Sequence, residues 1–278
     1  MKKMLASAAI LTATMMSGAL QAADTVRFAT EGAYPPWNAL NSAGQLEGFE
    51  VDLYKDLCAR AELECSMQQT AWNGIIPSLT NGKFDVIIAG MSITDKRKKQ
   101  IGFSRSYAST PAVFVVNKDS ELAGFEVKTQ KISLDELDAG EEAALNETIA
   151  ILEGKNIGVQ KGTIHYDFLK KYAKGADKIL TYATQEQLDL DLQSGRVDVA
   201  FAAMSYWHPL FQKEEGKNFK AIGPGFSEGP FGDGVGLGLR SEDTELTEKL
   251  NAAINAAIAD GSLSTLATKW FGFDASTK

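Results

Sequence analysis

The sequence predicts an α/β protein with two α/β lobes of like topology, joined by a two-segment hinge, with the ligand cleft between them. Three observations support this fold class. Apolar runs typical of strands alternate with apolar stripes at helical spacing. The chain contains one internal repeat, and the order of its strands indicates two crossings between the lobes.

The repeat aligns NGKFDVIIAGMS at residues 81–92 with SGRVDVAFAAMS at residues 194–205, without a gap. Each copy reads as the end of a helix, a turn, a buried strand and a hydroxylated exit loop. The alternative is convergence on a common helix–strand connection, because short repeats are weak signals alone. The identical pairs are Gly82/Gly195, Asp85/Asp198, Val86/Val199, Ala89/Ala202, Met91/Met204 and Ser92/Ser205.

Residues 1–22 have the pattern of a secretory signal peptide. Lys2 and Lys3 precede a short apolar run that ends in small residues, and cleavage after Ala22 fits best. A retained membrane anchor is the alternative, but the run at residues 4–16 is interrupted by Ser and Thr. It is also shorter than the roughly 20 residues that span a bilayer. We therefore expect export to the periplasm.

The charge balance is acidic, with 36 Asp and Glu against 28 Lys and Arg and a formal net charge of −8. Loss of Lys2 and Lys3 with the signal peptide takes this charge to −10. Such a charge argues against a general nucleic-acid binder. The length and average composition allow one large domain or two small ones.

The first predicted strand covers Val26–Thr30, and the Pro- and Gly-rich segment 31–38, EGAYPPWN, is a loop directly after it. Open α/β sheets bind ligands beyond the ends of their strands. Glu31 and Tyr34 are therefore candidate binding residues.

Two predicted helices follow. The first carries an apolar stripe at residues 51–61, and Glu50 lies at or just before its first turn. Glu50 is either a second carboxylate of the binding site or a complement to the helix macrodipole. The second helix carries a stripe at residues 72–79, with Asn73 as its candidate cap and an Asn-Gly stop.

The two cysteines, Cys58 and Cys65, are close together in CARAELEC. In an exported protein such a pair indicates a local disulfide rather than a metal site. The histidines, His165 and His208, form no cluster with them, so the sequence predicts no structural zinc.

Residues 84–103 combine a buried strand, a tight loop and the start of a helix. The apolar run ends at Ala89-Gly90, Ser92 lies in the loop, and a short basic segment contains Arg97. Such a loop brings together unpaired backbone N–H groups, a hydroxyl and a guanidinium, which suit a carboxylate or a phosphate. The alternative is an ordinary strand-to-helix connection with a surface arginine.

The chain then leaves the first unit. Residues 112–118 form a predicted strand, and the acidic segment 119–154 is interpreted as a peripheral insertion. A second α/β unit begins with a strand at residues 157–159, a turn at 162–163 and a helix from about His165. A strand around residues 179–182 and a helix around residues 185–194 continue it.

Two connections between the units, near Val116 and near Gly223, would form the hinge. After the second connection, a strand at residues 232–240 and an amphipathic helix at residues 244–260 return to the first unit. The predicted first lobe comprises residues 23–115 and 224–278, and the second lobe comprises residues 116–223.

Several motifs together resemble family 3 of the periplasmic solute-binding proteins, in particular the lysine/arginine/ornithine-binding and histidine-binding proteins. The resemblance covers nearly the whole mature chain and is closer still to the octopine- and nopaline-binding branch. It implies a monomeric type II periplasmic binding protein fold without a cofactor, which closes on an amino acid and delivers it to an inner-membrane ABC importer. The motifs are GFEVDL, CARAELEC, IIPSL, SITDKR, SGRVD, FGDG, VGLGLR and KWF.

The resemblance also implies a role for each matching residue. Arg97 would bind the ligand carboxylate, with further donors from the residues around it. Glu31 and Glu50 would face the distal ammonium or guanidinium, and two aromatic rings would enclose the aliphatic stem, a chemistry that suits an arginine-like ligand. The full predicted ligand-binding set is Glu31, Tyr34, Glu50, Trp72, Ala89, Gly90, Ser92, Arg97, Gln160, Thr163 and Ala203.

The sequence departs from the resemblance at Ala203, where the basic-amino-acid binders have an Asp against the α-ammonium. An unmet ammonium would lose a charge-assisted hydrogen bond worth about 1.5–3 kcal/mol. Either Ser205, Glu31 or a water replaces the Asp, or the ligand has a substituted amine, as an opine does. Ala89 and Gly90, where the family often has Ser, leave room for such a substituent.

Two other classes of function remain open at this point. A periplasmic cyclohexadienyl dehydratase uses the same scaffold and would make Glu31 or Glu50 a general acid. That alternative is weaker because a dehydratase acting on a dicarboxylate needs cations facing the cleft. An extracellular sensor module of a receptor would share the ligand chemistry.

Overall fold

A computed structural model describes residues 25–278, so the predicted signal peptide at residues 1–22 lies outside the described part of the chain. No helix within residues 25–278 has both the length and the apolar character needed to cross a membrane. The strands of this part are Val26–Thr30 (β1), Ala33–Tyr34 (β2), Asn38–Leu40 (β3), Leu46–Glu47 (β4), Cys65–Gln69 (β5), Val86–Ile87 (β6), Gly102–Ala108 (β7), Ala112–Asn117 (β8), Lys131–Ser133 (β9), Asn156–Gln160 (β10), Lys178–Tyr182 (β11), Val199–Ala203 (β12), Phe219–Ser227 (β13) and Val235–Leu239 (β14).

The helices alternate with these strands, as the sequence predicts. The α-helices of residues 25–278 are Phe49–Arg60 (α1), Ile75–Thr80 (α2), Asp95–Lys98 (α3), Ala139–Ala150 (α4), Ile164–Tyr172 (α5), Gln185–Gln193 (α6), Met204–Leu210 (α7), Thr244–Ala259 (α8) and Ser262–Phe271 (α9). Short 3-10 helices cover Glu121–Gly124, Glu214–Gly216 and Gly229–Phe231.

The first lobe is built on a five-stranded sheet with the order β5-β1-β6-β14-β7. β1 runs parallel to β5 and β6, whereas β14 runs antiparallel to its neighbours. Helices α1, α8 and α9 bury their apolar faces on one side of this sheet, and α2 packs on the other side. The apolar stripes read from the sequence are therefore the faces that form the core.

The second lobe is built on a six-stranded sheet with the order β11-β10-β12-β8-β13-β9. β10 runs parallel to β11 and β12, and β8 runs antiparallel to β12 and β13. A cluster of phenylalanines fills one side of this sheet, where the rings of Phe114 and Phe201 stack at 4.2 Å. Two α/β lobes, each with its own core, confirm the predicted fold class.

The internal repeat occupies the same position in both sheets. β6 lies between β1 and β14, and β12 lies between β10 and β8, so each repeated strand is central. Asp85 accepts a hydrogen bond from the backbone N–H of Arg27 at 3.0 Å, and Asp198 accepts one from the N–H of Asn156 at 2.8 Å. The repeated aspartates thus fix equivalent strand starts.

The chain crosses between the sheets at two segments, residues 109–111 and residues 228–234. The predicted lobe boundaries, at 115/116 and 223/224, fall inside β8 and β13, which both belong to the second sheet. A strand pattern shows where strands are but not which sheet each one joins, so the sequence placed the crossings inside neighbouring strands.

The acidic segment 119–154 is not peripheral, which corrects its interpretation as an insertion at the surface. Its strand β9 pairs with β13 at the edge of the second sheet, and α4 packs over that edge. Ile132 and Leu152 are fully buried in the core of the lobe. The many acidic residues of this segment occupy its exposed side. In the sequence, their number makes the few apolar residues that pack inward hard to recognise.

The disulfide prediction is confirmed. Cys58, near the end of α1, is bonded to Cys65 at the start of β5. The bond joins a helix to the edge strand of the first sheet, on the side of the lobe that carries α1.

Candidate functional site

A cavity lies between the lobes, at the carboxyl ends of the parallel strands of both sheets, where ligands of α/β sheets bind. We call it the first chamber. It is small, with about 40 Å³ of space for the centres of water-sized molecules. It is lined by Glu31, Tyr34, Trp72, Ala89, Gly90, Ser92, Arg97, Gln160, Thr163, Ile164, His165 and Gln185.

Arg97 is the cation of the first chamber. It lies on α3, whose N-cap Thr94 accepts a hydrogen bond from the Arg97 N–H at 3.3 Å. The side chain is only 8% exposed, and its Nη1 donates to the Ser92 carbonyl at 2.9 Å. No carboxylate of residues 25–278 forms an ion pair with Arg97, and burial lowers its pKa to about 10. A buried cation without a counter-ion is costly, so an anionic ligand group would stabilise it.

Glu31 is the carboxylate of the same chamber. It follows β1, is 5% exposed, and accepts a hydrogen bond from Gln160 Nε2 of the other lobe at 2.7 Å. Burial raises the pKa of Glu31 to about 7, and this is the largest effect on the group. No cation of the described residues pairs with it, so a cationic ligand group would offset the cost of its charge.

Two aromatic residues form walls of the chamber. Trp72 lies under the Arg97 guanidinium, whose central carbon is 5.2 Å from the ring centre. Tyr34 stacks on Tyr206 of the second lobe at 5.0 Å, with 18° between the ring planes. Flat apolar walls between an anion site and a carboxylate suit an extended aliphatic stem.

Glu50 does not line the chamber, which corrects the expectation that it contacts the ligand. It is fully buried behind the Gly90 turn, where its carboxylate accepts hydrogen bonds from the Gly90 N–H and from Asn38 Nδ2, both at 2.6 Å. The Tyr107 hydroxyl donates to it as well. The Gly90 N–H is therefore occupied and is not a free donor for a ligand.

A second chamber lies beside the first, and both are lined by Tyr34, Gly90, Ser92, Ile164 and His165. It has about 60 Å³ of space for the centres of water-sized molecules, so it is at least as large as the first. Ala203 faces this chamber. Its remaining lining residues are Trp37, Ser109, Thr110, Ala112, Ser227, Glu228, Phe231, Gly232, Gly234 and Val235.

Residues 26–273 match the family described as bacterial extracellular solute-binding proteins, family 3. The chain belongs to this family. It is 37% identical over 268 residues to an octopine-binding periplasmic protein of Rhizobium meliloti, covering 90% of this chain and 91% of that one. It is 32% identical to an L-arginine-binding protein of Pseudomonas aeruginosa, covering 99% of this chain and 98% of the relative.

A solved structure gives the same result for the fold of this solute-binding protein. A periplasmic His/Glu/Gln/Arg/opine family-binding protein from Silicibacter pomeroyi, in complex with lysine, superimposes with a TM-score of 0.73. The two are 34% identical, and the match covers 91% of this chain and all of that one. These relatives are named as binding proteins, which favours binding over the dehydratase alternative.

Ala203 stands where the resemblance predicts an Asp against a ligand α-ammonium, and Ser205 and Glu31 are among the substitutes expected for that Asp. Ser205 is fully buried, accepts a hydrogen bond from Trp37 Nε1 at 3.0 Å, and lies 3.0 Å from the Thr110 hydroxyl. Glu31 is already bonded to Gln160. Of the substitutes expected for the missing Asp, Ser205 is therefore excluded by its own contacts.

Sequence reasoning missed three residues of the site: Ile164, His165 and Gln185. Each lies in the first turn of a helix, α5 or α6, that directly follows a strand of the second sheet. The order of strand followed by helix in the sequence is the signal that could have identified these three residues as lining the cleft. His165 packs against Phe201 at 5.4 Å, and burial, together with the charge of Arg97, lowers its pKa to about 3.

The lobes of this solute-binding protein are closed on each other. The Glu31–Gln160 and Trp37–Ser205 hydrogen bonds cross the cleft, as does an ion pair between Lys96 and Asp167 at 2.8 Å. The site is therefore assembled from both lobes, and its geometry exists only when they meet.

Proposed function

We propose that this protein is the substrate-binding component of an ABC importer and that it binds a basic amino acid carrying a substituent on its α-amine, as the opines do. The observation that carries the proposal is the second chamber. It lies beside the first chamber, with which it shares five lining residues, and Ala203 lines it at the position where the resemblance predicts an Asp against the α-ammonium.

The carboxylate end of the ligand belongs at Arg97. This guanidinium is buried, has no counter-ion among residues 25–278, and has donors left to form a charge-assisted pair. Ser92 on the same loop and Thr163 just before α5 of the other lobe line the same chamber. An α-carboxylate here would be contacted by both lobes, which couples binding to closure.

The cationic end of the ligand belongs at Glu31. The stem would lie between Tyr34 and Trp72, and a guanidinium or ammonium would stand against the Glu31 carboxylate. The octopine- and arginine-binding relatives named above are consistent with a ligand that is cationic at this end. One carboxylate, rather than the predicted pair, faces the ligand here.

The amine of the ligand faces the second chamber. Ala203 offers a free ammonium no carboxylate. Glu228, the one acidic residue among the described lining residues of this chamber, is exposed, and its carboxylate accepts a hydrogen bond from Ser133. A charge-assisted hydrogen bond lost at Ala203 costs about 1.5–3 kcal/mol. A substituted amine has fewer N–H groups to satisfy, and its substituent would fill the chamber and remove water from its apolar walls. The geometry therefore favours an opine over plain arginine, lysine or ornithine.

The cellular setting follows from the family and is part of this proposal. The matched family is extracellular and the relatives named above are periplasmic, so the protein acts in the periplasm. We propose that residues 1–22 are removed on export, that the mature protein acts as a monomer, and that the closed form delivers its ligand to a permease complex in the inner membrane.

The anion site is tested by Arg97→Ala. In thermal unfolding, ligands from a panel of arginine, lysine, ornithine, histidine, octopine and nopaline should raise the melting temperature of the wild type. Arg97→Ala should abolish that rise, because the ligand carboxylate loses its counter-ion. Lys99→Ala, which removes an exposed charge just after α3, is the matched control. A melting-temperature rise that survives in Arg97→Ala would contradict the assignment.

The choice between opine and plain amino acid is tested by Ala203→Asp. The new carboxylate would fill part of the second chamber and would face the α-amine. We expect calorimetry to show about tenfold tighter arginine binding and at least tenfold weaker octopine binding, since one added charge-assisted bond is worth about 1.5–3 kcal/mol. A wild type that prefers arginine to every opine would show the proposal to be wrong.

A further inference from the structure

Two Asn-Gly pairs flank α2, and the sequence contains no others: Asn73-Gly74 precedes the helix and Asn81-Gly82 follows it. In such a pair the backbone nitrogen of the glycine can reach the side-chain amide of the asparagine, because glycine has no Cβ to obstruct the approach. Both asparagines are exposed to water. The two pairs therefore present one reaction in two structural settings.

The two settings differ in the hydrogen bonding of the glycine N–H. Gly74 lies just before α2, where N–H groups have no intrahelical acceptor, and its N–H meets no acceptor among residues 25–278. The Gly82 N–H, in contrast, donates to the Leu79 carbonyl at 2.9 Å. The nitrogen of Gly74 is therefore available to react, whereas that of Gly82 is held by the end of the helix.

We infer that Asn73 is a site of spontaneous deamidation and that its conversion alters the rim of the cleft. The Gly74 nitrogen, after losing its proton to a solvent base, forms a bond to Asn73 Cγ, and Asn73 Nδ2 takes up a proton and leaves as ammonia. Water then opens the cyclic imide at either carbonyl, which gives aspartate or, with the main chain passing through Cγ, isoaspartate. The net reaction consumes water and releases ammonia, and no group is oxidised or reduced.

Asn73 lies where such a change affects the contact between the lobes. Its Oδ1 would be 3.4 Å from a Cβ built on Gly162, in the turn of the second lobe that leads to α5. Trp72, the preceding residue, lies under the Arg97 guanidinium. Isoaspartate lengthens the main chain directly after Trp72, so the ring and the rim cannot both keep their positions. The isoaspartate form should therefore bind ligands more weakly, a consequence that rests on the proposed function.

The site is tested by incubating the full mature protein at mildly alkaline pH and mapping its peptides by mass spectrometry, with aspartate and isoaspartate peptides separated by chromatography. Asn73 should convert about tenfold or more faster than Asn81, because the Gly82 N–H must first leave its acceptor. In denaturant the two asparagines should convert at similar rates, since neither glycine N–H is then held. Equal rates in the folded protein, or a difference that persists in denaturant, overturns the inference.

The effect on the cleft is tested with Asn73→Gln as the matched control, because glutamine would have to close a larger ring and converts far more slowly. In calorimetry with arginine and octopine, the number of tight binding sites per protein should fall in aged wild type in step with its isoaspartate content. Equally aged Asn73→Gln should keep its sites. Aged wild type that contains isoaspartate and keeps every site overturns the effect on the cleft. Fresh wild type that binds neither ligand overturns the proposed function, whereas the conversion of Asn73 is measured without ligand.

Discussion

Glu31 shows how burial of one side chain controls the chemistry of this site. Burial raises the pKa of Glu31 from its ordinary value of 4.5 to about 7, and the charges of Glu50 and Glu186 add to that effect. The hydrogen bond from Gln160 acts in the opposite direction. In the unliganded protein, the raised pKa means that Glu31 contributes stability below about pH 4.5 that is lost as the pH rises through 7.

A cationic ligand reverses this shift, so binding should depend on pH. Below about pH 7 the ligand must displace a proton from Glu31, and we expect its affinity to fall by up to tenfold per pH unit there and to level off above about pH 8. Calorimetry in buffers of different ionisation enthalpy should show proton release. Glu31→Gln should bind weakly at every pH, without this dependence.

Asp189 provides the control for this prediction, because burial raises its pKa to about 7 as well. It accepts a hydrogen bond from the Tyr206 hydroxyl and does not line the first chamber. Asp189→Asn should therefore keep the pH dependence of binding. A pH dependence that disappears in Asp189→Asn and persists in Glu31→Gln would show that the wrong carboxylate was assigned.

At the scale of elements, the start of α1 supports the loop that follows β6. Gly48 precedes the helix with a φ of 131°, and a Cβ there would lie 2.5 Å from the Trp37 carbonyl oxygen. The chain can therefore enter α1 at this angle only through glycine. The entry brings Glu50 against the Gly90 N–H, which fixes the turn that lines both chambers.

Glu50→Ala should destabilise the protein rather than only weaken binding. The change leaves two buried donors, on Asn38 and Tyr107, and one partly buried donor, on Gly90, without an acceptor. At about 1–3 kcal/mol for each unsatisfied group, we expect the free energy of unfolding to fall by about 3–5 kcal/mol. Chemical denaturation measures this, with the exposed Glu47→Ala as the control. Unchanged stability with a loss of arginine affinity would instead support direct ligand contact.

Predictions of helices were most accurate where the apolar stripe extended over many residues. The stripe predicted at residues 244–260 is α8, Thr244–Ala259, and the stripe at residues 51–61 is α1. Predictions of helix caps were less accurate. The predicted cap of α2, Asn73, is wrong, because Gly74 precedes the helix in the left-handed conformation. A cap depends on where the incoming chain comes from, and the sequence pattern does not contain that information.

At the scale of the whole molecule, the two lobes are variations on one arrangement. The repeated strands β6 and β12 are central in their sheets, and their exit loops bring Ser92 and Ala203 to the same second chamber. The loops differ in chemistry: the first leads to Arg97 and the second has no acidic residue. The same strand and exit loop, present once in each lobe, thus provide a cleft with a cation on one side and no acidic residue on the exit loop of the other. Contacts such as the Lys96–Asp167 ion pair hold the two lobes together across this cleft.

The sequence by itself determined the order of elements, the repeat, the disulfide and the family, and it singled out the segment that contains Arg97. These features depend on local spacing, which the chain carries in its residue pattern. The tertiary structure alone decided that Glu31 faces the cavity while Glu50 supports Gly90 from behind. It also decided that Glu228 joins Ala203 at one chamber, since residues far apart in sequence meet only when both lobes fold and close.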